Sequence, residues 1–393
     1  MDETKKPTLL QPRELIGDLG LGVVGDGVTI GALIARRRQR VDAQRIVLRR
    51  GQRLFGEDAQ HAGVQRYQLQ AAPRISGLSL GGCFFHAHIF GARIFDIHAL
   101  ILAQSSRQRG DTVTPMQLTP LTGTFGADVR GVDLSAADDT CLDALRAALD
   151  EHHVLAVRDQ NLEIDTFEAM ARRLGAFGET PFITAIDGHP DVLRVLREAH
   201  ESGPLFGSGW HSDWSFQQRP PSATLLYAVE VPESGGDTAF ANGQAAYDAL
   251  SPAMQDMLGG LNAVHSARRS YGPSGTFGRN DPDAGMDIHG GEEALATQLH
   301  PLVRTHAATG RKSLFVNEVY TIGLEGMSRN ESAPLLRFLF EHVTQVAFTC
   351  RVRWEPGTLT IWDNRVVQHF AIDDYTGHRR EMLRITLAGE QPR

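Results

Sequence analysis

A mostly β chain with flanking helices, built as an antiparallel double-stranded β-helix of the jelly-roll kind, is the fold class this sequence predicts. Three observations predict it. The C-terminal region breaks into short extended runs, TCRVRW, GTLTIWDN, VVQHFA and MLRITLAG, separated by turn signals at EPG and DDYTGH. Further extended runs lie upstream, and helical stretches interrupt them without a regular strand-helix repeat, which argues against Rossmann and TIM architectures. Internal repeats and low-complexity tracts are absent from the sequence.

The elements follow in order. From Met116, MQLTPLTGTFGADVRGVDLS reads as short strands punctuated by Pro120 and glycines. Ser135 to His153 places Leu142, Leu145 and Leu149 at helical spacing behind an acidic first turn of Asp138 and Asp139. VLAVRDQ at 154–160 is a strand, DTFEAMARRLGAF at 165–177 a helix capped by Asp165, and VLRVLRE at 192–198 a strand. Strands ATLLYAVEV and DTAFAN follow, then helices at GQAAYDALSPAMQDML and SRNESAPLLRFLFEHVTQ. In the last of these, Ser328 and Glu331 stand three apart as in a capping box. The segment from Ser270 to Ala294 is rich in Gly, Asp and Pro and is expected to form a mobile cover.

Composition bounds the rest. With 393 residues, 41% apolar and 22% charged, the chain is an ordinary globular protein of one large domain or two. No run of about 18 uncharged apolar residues occurs, and the opening MDETKKPTLL lacks the apolar core of a secretory signal. A cytoplasmic address without membrane partners is expected. Cys83, Cys141 and Cys350 lie far apart and suggest neither a disulfide framework nor a zinc ribbon. The net charge of -8 is uneven: residues 1–115 carry 16 Lys+Arg against 10 Asp+Glu, the remainder 23 against 37. An acidic body argues against a nucleic-acid partner.

Residues 1–115 hold a basic cluster, ARRRQR, and no sustained period. A disordered basic arm, an unrecognised small domain and upstream sequence joined by a mistaken start codon compete for this segment, and the last is favoured. Residues 116–393 form the functional domain.

Trp210-His211-Ser212-Asp213-Trp214 sets an imidazole and a carboxylate two residues apart, so on an extended segment both point to one face. A distant histidine, with His369 as candidate, would complete the two-His-one-carboxylate face that leaves open positions on Fe(II). With 16 histidines in 393 residues, about one such triplet arises by chance. A second does occur, His189-Pro190-Asp191, where the proline indicates a turn instead. Arg380 and Arg384 are four apart in RREMLRITL; in a strand they share a face with Met382 and Thr386, while Leu383, Ile385 and Leu387 take the other. Buried guanidinium groups need anions, either a ligand carboxylate or acidic residues of the chain.

The motifs WHSDWSF, GGDTAFAN (235–242), HPLVRTH (300–306), LFVNEVYT (314–321) and WDNRVVQHFAIDDY followed by HRREMLRITLAGE give residues 116–393 a resemblance to the TauD/TfdA family of Fe(II)/2-oxoglutarate dioxygenases. The resemblance implies that His211, Asp213 and His369 hold iron, and that Thr238 and Arg380 bind the distal carboxylate of 2-oxoglutarate. Arg384 matches a second family arginine, which reaches either the substrate anion or the proximal carboxylate. The implied partners are O2 and a small anionic substrate, taurine-like, alkylsulfonate or aryloxyalkanoate, and a homo-oligomeric state is expected. The residues that hold taurine in similar enzymes align with Thr180 and Gly207, a departure that turns the expectation away from taurine itself. Phe182, Trp214, Phe216 and Tyr320 are candidates for a roomier apolar pocket, or for plain core. The competing classes are a cupin-type metal protein that does not use 2-oxoglutarate and a non-catalytic binding module.

Overall fold

A computed structural model describes residues 116–278 and 283–393, with the backbone of three short upstream strands. The chain divides into two units, Met1–Ile97 and His98–Arg393. In the first, β1 (Gly27–Val28), β2 (Ile46–Arg49) and β3 (Gln68–Ala71) form an antiparallel sheet in the order β1-β3-β2. The rest of residues 1–115, including the basic cluster, lies outside the described residues.

The second unit is a jelly roll. Its large sheet takes β4 (Gln117–Pro120), β5 (Ala127–Arg130), β6 (Val154–Val157), β7 (Leu193–Arg197) and β8 (Ala223–Glu230). The chain then gives β9 (Thr238–Asn242), β10 (Asn262–His265), β11 (Gln298–Pro301), β12 (Val303–Thr305), β13 (Lys312–Leu314) and β14 (Thr321–Leu324). It ends in β15 (Thr349–Val352), β16 (Leu359–Asp363), β17 (Val367–Ala371) and β18 (Arg380–Leu387). The large sheet runs β4-β5-β6-β16-β8-β18-β7 and the small one β15-β9-β17; β11-β10-β14 and the β12-β13 pair form an insert.

Helices α1 (Asp139–His152) and α2 (Ile164–Leu174) cover the outer face of the large sheet. Leu142, Leu145, Phe167 and Met170 meet Leu155, Leu225, Ile361 and Ile385 there, each burial contributing roughly 1.5–3 kcal/mol. The inner face, with Val154, Leu226, Trp362 and Met382, packs on Phe240, Val352 and Val367 of the small sheet. Strand β18 alternates as its sequence indicates: Met382 lies inside, and Leu383, Ile385 and Leu387 lie under the helices.

The local forecasts differ from the structure at two helix ends. Asp138 caps α1 by accepting from the Cys141 amide, but the cap of α2 lies two residues earlier than expected, at Glu163, with Asp165 in the first turn, where a carboxylate still favours the helix dipole. The stretch GQAAYDALSPAMQDML is two helices, α3 (Gly243–Asp248) and α4 (Pro252–Leu258). Pro252 has no N–H to continue the first, and Ser251 instead caps the second. The next helices are α5 (Arg268–Tyr271) and α6 (Arg329–Val343), and at the start of α6 the Ser328–Glu331 capping box is present. His189-Pro190-Asp191 is a surface turn, its histidine bonded to Glu168. Among the described residues no helix is long and apolar enough to cross a membrane.

Three buried histidines make stability depend on pH. Burial pushes His153 and His300 down to about 4 and, reinforced by His300, pushes His265 down to about 3. The unfolded chain therefore takes up protons first, near pH 6.5, so stability is full above that value and falls until the folded-state histidines titrate. Each tenfold preference of the fold for a neutral imidazole is worth about 1.4 kcal/mol, so the loss on going from pH 6.5 down to pH 4 is on the order of several kcal/mol. Urea unfolding of the metal-free protein across this range should show it, and a flat profile would contradict it.

Candidate active site

His211 and His369 are 158 positions apart in sequence and are joined by one antiparallel bridge. The His211 amide donates to the His369 carbonyl at 3.1 Å, and the His369 amide returns the bond at 2.7 Å. The WHSD segment thus lies along the edge of β17 that β9 leaves free. On β17 the two-residue period puts His369 on the same inner face as the core residue Val367. On the bridging segment the same period turns His211 and Asp213 inward, while the Ser212 hydroxyl points away to the Val367 carbonyl.

The three donor sets converge. The Nε2 atoms of His211 and His369 lie 3.7 and 3.6 Å from Asp213 Oδ1, and the imidazole centroids are 4.1 Å apart. The ligand atoms all fall within 4.8 Å of one another. His211 Nδ1 faces the Gly209 carbonyl at 2.8 Å, so its proton belongs there and Nε2 presents a lone pair. Burial drives both imidazoles toward the neutral form. Burial alone would raise the Asp213 carboxyl, but Arg384, His369, His211 and the Thr224 hydroxyl more than offset it and keep the carboxylate charged. Two neutral imidazoles and one carboxylate, buried and facing a common centre, suit a hard-to-borderline divalent ion.

Sequence reasoning missed the carboxylate's support. The Thr224 hydroxyl donates to Asp213 Oδ2 at 2.6 Å, and Asn364 Nδ2 donates to Thr224 at 2.8 Å. Asn364 Oδ1 in turn accepts from the Asp213 amide and from Trp362 Nε1. These partners meet only through the β8-β16 register, which no local pattern announces. Arg384, whose role the sequence left open, lies with Nη2 2.7 Å from Asp213 Oδ1 and its guanidinium 4.9 Å above the Trp214 ring. The Nη2 contact is an ion pair without hydrogen-bond alignment. Trp214 holds φ at +44°, a conformation few non-glycine residues adopt, and such strain costs about 1–3 kcal/mol.

Thr238 and Arg380 lie together around Trp354. The indole N–H donates to Thr238 Oγ1 at 3.0 Å, leaving the hydroxyl hydrogen free for a ligand. The Arg380 guanidinium lies 5.6 Å from the Trp354 ring and 6.0 Å from Tyr375. The residue is 6% exposed; its Nε has no partner among the described residues, and burial lowers its pKa. Gly236, at φ +68°, lets the backbone pass so close that an added Cβ would sit 3.4 Å from the Arg380 side chain. Arg380 opens into a cavity of about 320 Å³, walled by Phe206, Phe277, Met286 and Ile288 among others. A smaller space of about 20 Å³ at the triad shares Phe206 and Phe277 with it and is lined by Trp214, Tyr271, Tyr320 and Arg384.

Of the four proposed pocket aromatics, Trp214 and Tyr320 line this space, whereas Phe182 and Phe216 pack behind them with Tyr271. Tyr271 was not anticipated. The 270–294 segment contributes Phe277, Met286 and Ile288 to the cavity wall; its residues 279–282 lie outside the described residues.

A jelly roll in which two imidazoles and a carboxylate face one buried centre, with a buried guanidinium nearby, is a scaffold suited to a divalent metal ion. The family model for "Taurine catabolism dioxygenase TauD, TfdA family" matches residues 117–386, and the chain belongs to that family. It is similar to the alpha-ketoglutarate-dependent sulfate ester dioxygenase of Pseudomonas putida, at 35% identity over 70% of this chain and 91% of that protein. It is also 38% identical to the alpha-ketoglutarate-dependent 2,4-dichlorophenoxyacetate dioxygenase of Cupriavidus pinatubonensis, over 68% of this chain and 96% of the relative. Among solved structures, a taurine dioxygenase from Burkholderia xenovorans matches with TM-score 0.59 and 31% identity, covering 70% of this chain and 92% of the other. AAD-2 in complex with Mn(II) and N-oxalylglycine matches at 0.58 and 29%, covering 71% and 99%.

Proposed function

We propose that this protein is an Fe(II)- and 2-oxoglutarate-dependent dioxygenase that hydroxylates a small organic anion. The observation that carries the proposal is Arg380, a buried guanidinium with no ion-pair partner among the described residues, which opens into a cavity beside the buried triad. Iron and 2-oxoglutarate, when bound, would supply the activation of O2, one oxygen atom entering succinate as carbon dioxide leaves and the other entering a substrate C–H bond.

The chain's own residues would bind and orient. His211, Asp213 and His369 would hold the iron on one face, leaving the others to ligands. Arg384 and Thr224 fix the carboxylate of Asp213 from both oxygens. The Thr238 hydroxyl and Arg380 would hold the far carboxylate of 2-oxoglutarate and so orient its keto acid end toward the triad. Tyr271, Tyr320, Trp214 and Phe277 wall the space at the triad and would keep water from it.

For the substrate, the two relatives named for sulfate esters and for 2,4-dichlorophenoxyacetate share an anionic head on an apolar body, and the aromatic wall with Arg384 suits that combination. Thr180 and Gly207 stand where the taurine contacts align, which favours a sulfate ester, a longer sulfonate or an aryloxy acid over taurine. Hydroxylation at a carbon bearing a sulfonate sulfur, a sulfate-ester oxygen or an aryl ether oxygen would collapse to a carbonyl compound and free sulfite, sulfate or a phenol, respectively.

Isothermal titration of 2-oxoglutarate into anaerobic, iron-loaded protein tests the proposal. Binding is expected for the wild type and a weakening of at least about 100-fold for Arg380→Ala, the scale of losing two charge-assisted hydrogen bonds. No heat with the wild type would refute the assignment. Succinate release across sulfonates, sulfate esters and aryloxy acids then identifies the head group.

A further inference from the structure

Strand β7 places Arg197 directly opposite Arg380 of β18. Opposed residues of an antiparallel pair leave the sheet on the same face, and both arginines line the 320 Å³ cavity. Both are buried, at 9% and 6% exposure. Like charges facing each other across strands are destabilising, and a buried charge without a partner is more so. Yet among the described residues neither guanidinium is in an ion pair. Arg197 Nη2 has only a 3.3 Å bond to the Glu201 main-chain carbonyl, and Arg380 Nε has no partner.

The nearby acids form no ion pair with either arginine among the described residues. Glu201, which also lines the cavity, accepts at Oε1 from the amides of Glu198 and Gly285, at 2.6 and 3.0 Å. Asp237 is held by Arg351 at 2.6 Å. Two buried positive charges therefore share one cavity with Tyr375 and with the Glu201 carboxylate, which is in an ion pair with neither arginine among the described residues.

We propose that Arg197 is a second guanidinium for the distal carboxylate of 2-oxoglutarate, which is clamped between Arg197 and Arg380 with the Thr238 hydroxyl; the inference rests on the dioxygenase reading above. A carboxylate has about four acceptor positions, enough for two guanidinium groups and a hydroxyl. The facing charges then become an asset, because the ligand's negative charge is what relieves them.

The test uses the full chain loaded with Mn(II) and measures the Kd for 2-oxoglutarate together with the melting temperature, with and without the ligand. Arg197→Gln is expected to raise Kd roughly 10- to 100-fold, the worth of one or two charge-assisted hydrogen bonds, and Arg197→Lys to recover part of the loss. In the ligand-free state Arg197→Gln should melt at or above the wild type, because a like-charge contact is gone. An arginine with a merely structural role would lower that melting point and leave Kd unchanged. A wild-type Kd in Arg197→Gln, while Arg380→Ala loses binding, overturns the clamp and leaves the dioxygenase assignment standing. Failure of the wild type to bind 2-oxoglutarate removes both.

Discussion

Replacing Asp213 with alanine is expected to abolish succinate formation and to destabilise the metal-free protein by about 3–5 kcal/mol. The first effect follows from loss of the single anionic donor among the three that converge at the site. The second has a separate cause: Arg384, 4% exposed, has its Nη2 2.7 Å from that carboxylate, and removing the partner strands a buried cation. Asp213→Asn also removes the charge and strands Arg384, but it preserves shape and can still accept from the Thr224 hydroxyl, so it separates loss of charge from loss of that hydrogen bond. Both variants should lose metal binding by titration, with the alanine variant showing the larger fall in urea midpoint. Wild-type succinate yield in Asp213→Ala would remove Asp213 from the metal site.

The same contact explains why some of the site was legible in sequence and some was not. His211 and Asp213 are two residues apart, and Arg380 and Arg384 four apart. Spacing along an extended chain assigns such pairs to a face, so their shared direction could be read before any fold was known. His369 needed the family pattern, because its meeting with His211 is made by one long-range bridge. Thr224, Asn364 and Arg197 were legible only as strand or turn residues. Each acquires its role from the residue across the sheet or beside it, Trp362 opposite Thr224 and Arg380 opposite Arg197, and register is a property of the whole sheet. The break at Ser251-Pro252 is different: the proline was visible, but the apolar period ran through it and concealed the second cap.

Asp363→Ala is expected to lower the melting temperature by on the order of 10 °C, the scale of a broken buried ion pair in a domain of this size. Asp363 ends β16 one residue before Asn364, and the two serve opposite purposes. Asn364 supports the Asp213 carboxylate through Thr224, whereas Asp363, fully buried, accepts from His306 Nε2 at 2.9 Å and from Arg365 Nε and Nη2, each at 2.8 Å. With Asp150 these groups resemble a second metal cluster, having three ligand atoms within 4.8 Å of one another. The Arg365 guanidinium, however, lies 3.2 Å from Asp150 and already supplies the positive charge that a cation would bring. Divalent metal should therefore bind with a stoichiometry of one per chain in the wild type, and excess metal should not restore the melting temperature of Asp363→Ala. A second equivalent of metal that disappears in that variant would instead make this cluster a cation site and Arg365 its displaceable occupant.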